Sequence, residues 1–383
     1  VPAAAVIGIV VAAIVAAAVI AAAVVGWVIA RRVTTPSTER TYPIRNHGIR
    51  TTSTGLTVML DRTEETSTPT GLYSIRLSRG GILPVGALVD FPGEDVVGRR
   101  AAPDHVDELA ILDRCAWSGV IYPTPDAAGL NASETTVWGP AGPAPAWQFE
   151  GAGTVWAIHI HGLGSGREGT LRAVQVTSGL GMPSLAVTYR NATEGPRVGA
   201  GRSTLGLDEA DDVAAAIRHA RENGAERVVL IGWSMGAAIA LQVAARPDAA
   251  DVVAGLVLDS AVIDWRATLS ANLHHAGLPA AAVHLAVPWL GWRPLASLAG
   301  LPRPVPFRDL DWVARAGQVT VPTLLLHGTR DWSAPVEQAE AFAAARPDLV
   351  TLETFDAGHT MTWNSDPARW RRVVTDWVKS HTR

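Results

Sequence analysis

The chain opens on an uncharged apolar run, Val1 to Ala30, made of Ala, Val and Ile with Gly8, Gly26 and Trp27. It has no polar face, which a helix packed on a soluble core would need. At ~1.5 Å rise per residue, about 20 apolar residues cross a hydrocarbon core, so residues 1–30 are expected to form a membrane-spanning helix. After residue 34 the periodicity fades into Thr, Ser, Arg and Pro, and residues 31–70 read as a stalk. Short alternating stretches broken by Gly and Pro follow, such as Leu72–Leu77, Gly86–Phe91 and Trp117–Tyr122, and predict a small β-rich region over 71–148. It is too short for a propeller, which needs at least four four-stranded blades. The Gly/Pro-rich Pro140 to Pro145 reads as the last connection before the main domain.

From residue 149 to 383 the pattern is different. Apolar runs of strand length (Val155–Ile160, Leu185–Thr188, Val228–Ile231, Leu256–Leu258, Thr323–Leu326, Val350–Phe355) alternate with amphipathic stretches of helix length. Continuous apolar strands joined by helical crossovers predict a doubly wound, mostly parallel α/β sheet covered on both faces. Ligands of such sheets bind at the carboxyl ends of the strands. The alternation lapses over about 264–319, where an Ala/Leu/Trp-rich segment with Pro279, Pro288 and Pro294 predicts short helices inserted as a lid.

Composition narrows the function classes. Hydrophobic residues are 48% of 383, enough for a sizeable core, and the net charge of −4 gives no basic face for nucleic acid. The single cysteine, Cys115, excludes an internal disulfide and a cysteine metal cage, and no nucleophile motif surrounds it. The apolar N-terminal run exceeds the 7–15 residues of a signal h-region, which favours a retained single-pass anchor over a cleaved signal. Trp27 followed by Arg31-Arg32 suits a helix leaving the bilayer; the arginine pair favours a cytoplasmic catalytic part, and the side of the membrane stays open.

The chemistry sits in three strand ends. Gly232-Trp233-Ser234-Met235-Gly236 follows the run Val228–Ile231 and opens a helix, the strand–turn–helix setting of a G-x-S-x-G nucleophile elbow. His327-Gly328-Thr329-Arg330-Asp331 ends the next-to-last strand in an acid, and Gly358-His359 follows the last strand. A serine hydroxyl is a weak nucleophile, so a histidine must take its proton, and an acid must orient that histidine.

With these motifs, residues from about 150 onward resemble the α/β-hydrolase superfamily. The resemblance implies the α/β-hydrolase fold, Ser234 as nucleophile, His359 as general base and acid, and Asp331 as its orienting partner, with no cofactor and no metal. Asp331 could instead cap a helix, since Asp259 and Asp264 follow another strand where some relatives carry the acid. His161-Gly162-Leu163-Gly164 resembles the family's oxyanion loop. It implies that the Leu163 and Met235 amides face the substrate oxygen, with His161, Gly162, Gly232 and Gly236 as structural residues. His359–Asn364 and Tyr189-Arg190-Asn191 are similar to a bacterial subgroup of membrane-anchored, lipase- or aminopeptidase-like hydrolases; Ala237 departs from a glycine common in relatives.

Three other readings use the same residues. His159 and His161 stand i, i+2 on a strand and could pair on a metal, without a third ligand nearby. Gly164-Ser165-Gly166-Arg167-Glu168-Gly169 matches G-x-G-x-x-G, and Arg190 after the next strand could meet an NADP 2′-phosphate, an oxidoreductase reading that leaves Ser234, Asp331 and His359 unused. A catalytically inactive hydrolase fold kept for binding is the third. The favoured partner is a small-molecule acyl ester, thioester or amide, a lipid among the candidates. The lid's Trp289 and Trp292 suit an apolar acyl group, and His274, His275 and His284 read as rim residues. No acidic cluster marks a peptidase's amine site. All three triad candidates follow residue 149, so turnover of small soluble esters is expected to be independent of residues 1–33.

Overall fold

The computed structural model describes residues 2–36, 41–52, 55–63, 69–78, 80–91, 94–101 and 114–382. Its main sheet is built from β7 (Ser133–Gly139), β8 (Gly142–Phe149), β9 (Val155–Ile160), β10 (Ser184–Val187), β11 (Arg227–Trp233), β12 (Val253–Asp259), β13 (Thr323–Gly328) and β14 (Val350–Phe355). The spatial order is β14-β13-β12-β11-β9-β10-β8-β7. Strands β9 to β14 run parallel, and the β7–β8 hairpin joins β10 antiparallel. Every residue of β12 and β13 is buried, as strands covered on both faces must be.

Helices α2 (Leu171–Gly179) and α10 (Pro367–His381) cover one face, where Trp363, Trp370 and Trp377 pack on β11 to β14. Helices α3 (Glu209–Glu222), α4 (Met235–Ala244) and α8 (Val336–Ala345) cover the other. A short α9 (Thr362–Ser365) precedes α10. Between β12 and β13 lies the lid: α5 (Trp265–His275), α6 (Val283–Gly291) and α7 (Arg293–Leu298). Asp264 caps α5 through the Arg266 amide at 2.7 Å, and Pro294 sits in the first turn of α7, where a missing N–H costs nothing. Pro288, expected to break the lid, lies inside α6 instead.

Ahead of this sheet stands a closed six-stranded barrel: β1 (Ile44–Thr52), β2 (Gly55–Asp61), β3 (Tyr73–Leu77), β4 (Ile82–Asp90), β5 (Val96–Ala101) and β6 (Arg114–Ser118), in the order β1-β2-β5-β4-β3-β6. Two boundaries read from the sequence move. Residues 44–52 and 55–61, expected within a stalk, form the first two barrel strands; residues 37–40, 53–54 and 64–68 of that stalk lie outside the described residues. In β1 only Ile44 and Asn46 face inward, so the strand carries almost no apolar signal. Residues 133–148, expected in the β-rich region and its connection, form with Phe149 the hairpin of the main sheet. Pro143 and Pro145 fall in the part of β8 beyond β10, where one flank is free and a missing N–H is tolerated. In the barrel core, burial pushes the Cys115 thiol up to about 12, which fits a packed hydrophobe and not a nucleophile.

The first helix, α1 (Ala3–Val33), has a mean hydropathy of 2.9 over its most apolar window and is long and apolar enough to cross a membrane. A signal sequence would pass the same test. Its residues up to Val25 are almost all exposed; beyond that Gly26, Ile29 and Ala30 are buried toward the lid and Thr34 against Ser203, while Val28 and Arg32 stay exposed. A side chain at Gly26 would overlap the Leu285 carbonyl of α6. Trp27 Nε1 donates to the Leu298 carbonyl (3.3 Å), the Ser203 amide to that of Thr34 (2.8 Å), and Arg202 to that of Arg31 (2.8 Å).

Barrel and main domain meet at Asn364 of α9. Its amide nitrogen donates to the Leu72 and Gly119 carbonyls (2.7 and 3.0 Å), and its own carbonyl accepts from the Leu72 amide (2.9 Å). An Arg76–Glu168 ion pair (3.3 Å) adds a second link.

Candidate active site

Strand β11 ends at Trp233 and α4 begins at Met235, so Ser234 is the whole turn between them. It sits at φ 52°, ψ −117°, a backbone state costing about 1–3 kcal/mol for a residue with a Cβ. The flanking glycines make the turn possible. A Cβ on Gly232 would run into Gly236 and Ala237, and one on Gly236 would overlap the carbonyls of Ile160 and His161. The Ser234 amide donates to the Asp259 carbonyl (2.9 Å), which fixes the turn on the neighbouring strand.

His359 Nε2 lies 2.9 Å from Ser234 Oγ, and His359 Nδ1 lies 2.8 Å from Asp331 Oδ2. With Nδ1–H donating a hydrogen bond to the carboxylate, Nε2 is left unprotonated to accept the serine proton. Asp331 also caps a turn, the alternative role weighed for it, but with its other oxygen, which accepts from the Ser333 and Ala334 amides (3.0 and 2.8 Å). Those bonds leave Oδ2 aimed at the imidazole.

The two rival acids are engaged elsewhere. Asp264 is the cap of α5. Asp259 is buried, and burial raises its pKa against the bonds it accepts from Thr362, Trp370 Nε1 (2.9 Å) and Ser260 Oγ (3.1 Å). Ser260 Oγ in turn accepts from the Thr360 amide (2.9 Å), next to His359. On the far side of the loop, buried Arg172 donates to Asn364 and to the Thr360 carbonyl (3.4 Å); burial lowers its pKa to about 10. The sequence reading missed Arg172 and Trp370, and gave no role to Thr362 and Asn364 within the noted stretch His359–Asn364, because their partners come from remote strands and helices.

The loop after β9 supplies the other half of the site. A Cβ at Gly162 would stand 3.2 Å from the Ser234 Cβ, so glycine lets this backbone reach the nucleophile. Leu163 follows it along both clefts that meet at Ser234. Met235 is fully buried with its sulfur 3.5 Å from Ser203 Oγ, so its side chain points away and its amide, in the first turn of α4, has no intrahelical acceptor. His161 Nδ1 donates to the Gly162 carbonyl (2.9 Å), and the stacked Tyr189 puts its hydroxyl 3.0 Å from the carbonyls of both His161 and Gly162. Burial pushes the His161 pKa down, which keeps it neutral in this loop-bracing role. His159 Nε2 lies 3.2 Å from Thr177 Oγ1 in the buried interior.

The sequence profile of the alpha/beta hydrolase family matches residues 157–373, more than half of the 383. The chain belongs to the alpha/beta hydrolase family. No curated protein matches it in sequence. Among solved structures it is similar to the esterase Pf2001 of Pyrococcus furiosus, with a TM-score of 0.54 and 20% identity over 68% of this chain and 97% of that one. A membrane phospholipase A described as a bacterial virulence factor gives 0.48 and 21% over 67% and 88%. An esterase of Rhodococcus sp. gives 0.45 and 19% over 65% and 99%. At these identities the likeness to the Pyrococcus enzyme shows the fold alone.

In this alpha/beta hydrolase two clefts meet at Ser234. The larger, about 560 Å³, is mostly apolar and runs under the lid between Trp265, Leu269, Leu273 and Trp332. Its remaining wall is the end of α1: Val28, Ile29, Arg32 and Val33. The smaller, about 260 Å³, is walled by the barrel residues Trp117–Val120 together with Gly162–Ser165, Arg172 and Met361. A larger hollow of about 690 Å³, lined by Gln175, Arg371 and Lys379, contains none of Ser234, Asp331 and His359.

The glycine fingerprint falls in the wall of the smaller cleft, beside the hydrolase residues. Arg190, which the dinucleotide reading aims at a phosphate, is held by Asp212 in a two-pronged ion pair (2.7 and 2.8 Å). Arg167 is likewise paired, with Glu134 and Glu194 (2.9 and 3.0 Å). The hydrolase family membership replaces the oxidoreductase reading.

Proposed function

We propose that this alpha/beta hydrolase is a membrane-anchored serine esterase or lipase working through an acyl-enzyme on Ser234. The observation that carries the reading is the hydrogen-bonded line Ser234–His359–Asp331, at 2.9 and 2.8 Å, at the mouth of an apolar cleft. Ser234 Oγ adds to the acyl carbonyl as His359 takes its proton, and the amides of Leu163 and Met235 stabilise the oxyanion. His359 returns the proton to the departing alcohol. Water then repeats the sequence, and the acid leaves with Ser234 restored.

An ester is favoured over a peptide because, among the described residues, no carboxylate lines either cleft to hold a substrate amine. The acyl group fits the apolar cleft and the leaving group the smaller one. The uncharged, exposed stretch of α1 supports a single-pass anchor.

The test is labelling with a fluorophosphonate probe alongside turnover of p-nitrophenyl butyrate. Labelling and turnover in the native chain, both lost in Ser234→Ala, are expected. A folded native chain that does neither is an inactive binding protein.

A further inference from the structure

We propose that the apolar cleft takes its substrate from a bilayer, and that Arg32 on the last turn of α1 binds the phosphate of an anionic lipid whose ester reaches Ser234. This rests on the hydrolase reading and names the substrate class and the residues that select it.

The helix α1 is docked, not tethered. Gly26 admits the Leu285 backbone, and Trp27, Arg31 and Thr34 are each hydrogen-bonded to the main domain. Val28, Val33 and Arg32 are therefore a fixed wall of the cleft that contains Ser234 and His359. Arg32 is the one permanently charged side chain in that wall, and no carboxylate pairs with it among the described residues. Its neighbours do not neutralise it. Arg31 lies over the Trp27 ring (4.9 Å), and Arg202 is turned onto the Arg31 carbonyl. Arg32 is thus an exposed guanidinium on the cleft wall, unpaired among the described residues, with Arg31 and the buried Arg202 adding positive charge behind it, and arginine suits a phosphate.

The position of this rim points to a bilayer. The exposed part of α1, Ala3–Val25, is about 35 Å long at ~1.5 Å per residue, against about 30 Å of hydrocarbon. The interface then falls on Gly26–Val33, the turns that line the cleft. The lid residues that α1 touches, Leu285 and Leu298, remain exposed (37% and 66%), and Trp292 beside them is 61% exposed. A small neutral ester in solution would need none of this. An acyl ester with a phosphate a few bonds from its carbonyl would use the serine, the apolar walls and the arginine together. Its hydrolysis adds one water and releases a fatty acid and a phosphate-bearing alcohol.

The test uses the full chain in vesicles of dialkyl-ether phosphatidylcholine, doped with phosphatidylglycerol or with diacylglycerol of the same acyl chains. The native enzyme is expected to prefer the anionic lipid, and Arg32→Gln to reduce that preference about tenfold. Equal use of both lipids by the native enzyme, or the same preference in Arg32→Gln, overturns the proposal. A third substrate, a short soluble ester bearing a phosphate, separates sources: an equal effect of Arg32→Gln there overturns the bilayer route. Val28→Trp tests the wall independently. It should shift the preferred acyl chain to shorter lengths, and an unchanged chain-length profile removes α1 from the cleft. Fluorophosphonate labelling and p-nitrophenyl butyrate turnover are followed in the same samples. Their absence in the native chain refutes the hydrolase reading itself, whereas their presence with an unchanged lipid preference refutes only this inference.

Discussion

Gly26 of the N-terminal helix and Leu285 of the lid lie so close that no side chain fits between them. With the bonds at Trp27, Arg31 and Thr34, this contact holds α1 as a wall of the cleft at Ser234. Gly26→Val is expected to release α1 from the lid while leaving the sheet intact. Limited proteolysis after Val33 should become fast, and activity on long acyl esters should fall several-fold more than on acetyl esters. An unchanged cleavage rate would show that the helix remains docked. Removal of residues 1–33 would open a wall beside Ser234, so turnover of a short soluble ester by the truncated chain checks directly whether that wall matters for small substrates.

Ser234→Ala should reduce ester turnover by at least about 10³-fold, with circular dichroism unchanged. His359→Ala should cost about as much, and the double variant little more, because nucleophile and base act as one unit. Additive losses in kcat would contradict their placement in one hydrogen-bonded line.

Asp331→Asn and Asp259→Asn should separate chemistry from support. At Asp331 the amide would present a donor to His359 Nδ1 and favour the wrong tautomer, with a loss of ~10⁴ in kcat and a modest change in Tm. At Asp259 it would set a donor against Trp370 Nε1 or Thr362, leaving a buried polar network broken at about 3 kcal/mol. Thermal unfolding and kcat measured on both variants check this. A larger kcat loss in Asp259→Asn would reassign the acid.

Stability should fall on acidification, in part because of His159. Burial pushes its pKa down to about 3 from 6.5. The unfolded chain therefore binds the extra proton between those values, and stability rises with pH there. The contribution is complete above pH 6.5 and is lost as the pH falls toward 3, reaching about 2 kcal/mol by pH 5. Buried Glu209 and Asp259, with raised pKa values, act in the opposite sense. The comparison is thus between wild type and His159→Gln, which should lose less Tm between pH 7.5 and 5. Parallel curves would remove His159 from the account.

The main sheet was legible because buried parallel strands are continuous apolar runs and their crossovers repeat every 3.6 residues. The barrel's first strands were not. Asn46 fills an inward position of β1, and the Thr/Arg-rich outward face looks like a linker. Pro143 and Pro145 hid β8 because proline argues against a strand unless its free flank is known. At the site, Ser234, Asp331 and His359 were readable because each follows a strand end that the fold aligns. Asp259 could not be told from a catalytic acid, since its role depends on Trp370 and Thr362, a hundred residues away in the chain. Docking of α1 left no trace, because a glycine in an apolar helix looks the same whether it faces lipid or a carbonyl.

Asn364 grips two barrel carbonyls while standing one turn beyond His359. The barrel is thereby a handle on the imidazole. A tension applied across barrel and catalytic domain would be shared by this loop and the Arg76–Glu168 pair, and the share borne by the loop would draw Nε2 away from Ser234 Oγ. Turnover by molecules pulled between β1 and α10 should drop at forces well below unfolding, a mechanical off-switch that needs no occupant in either cleft.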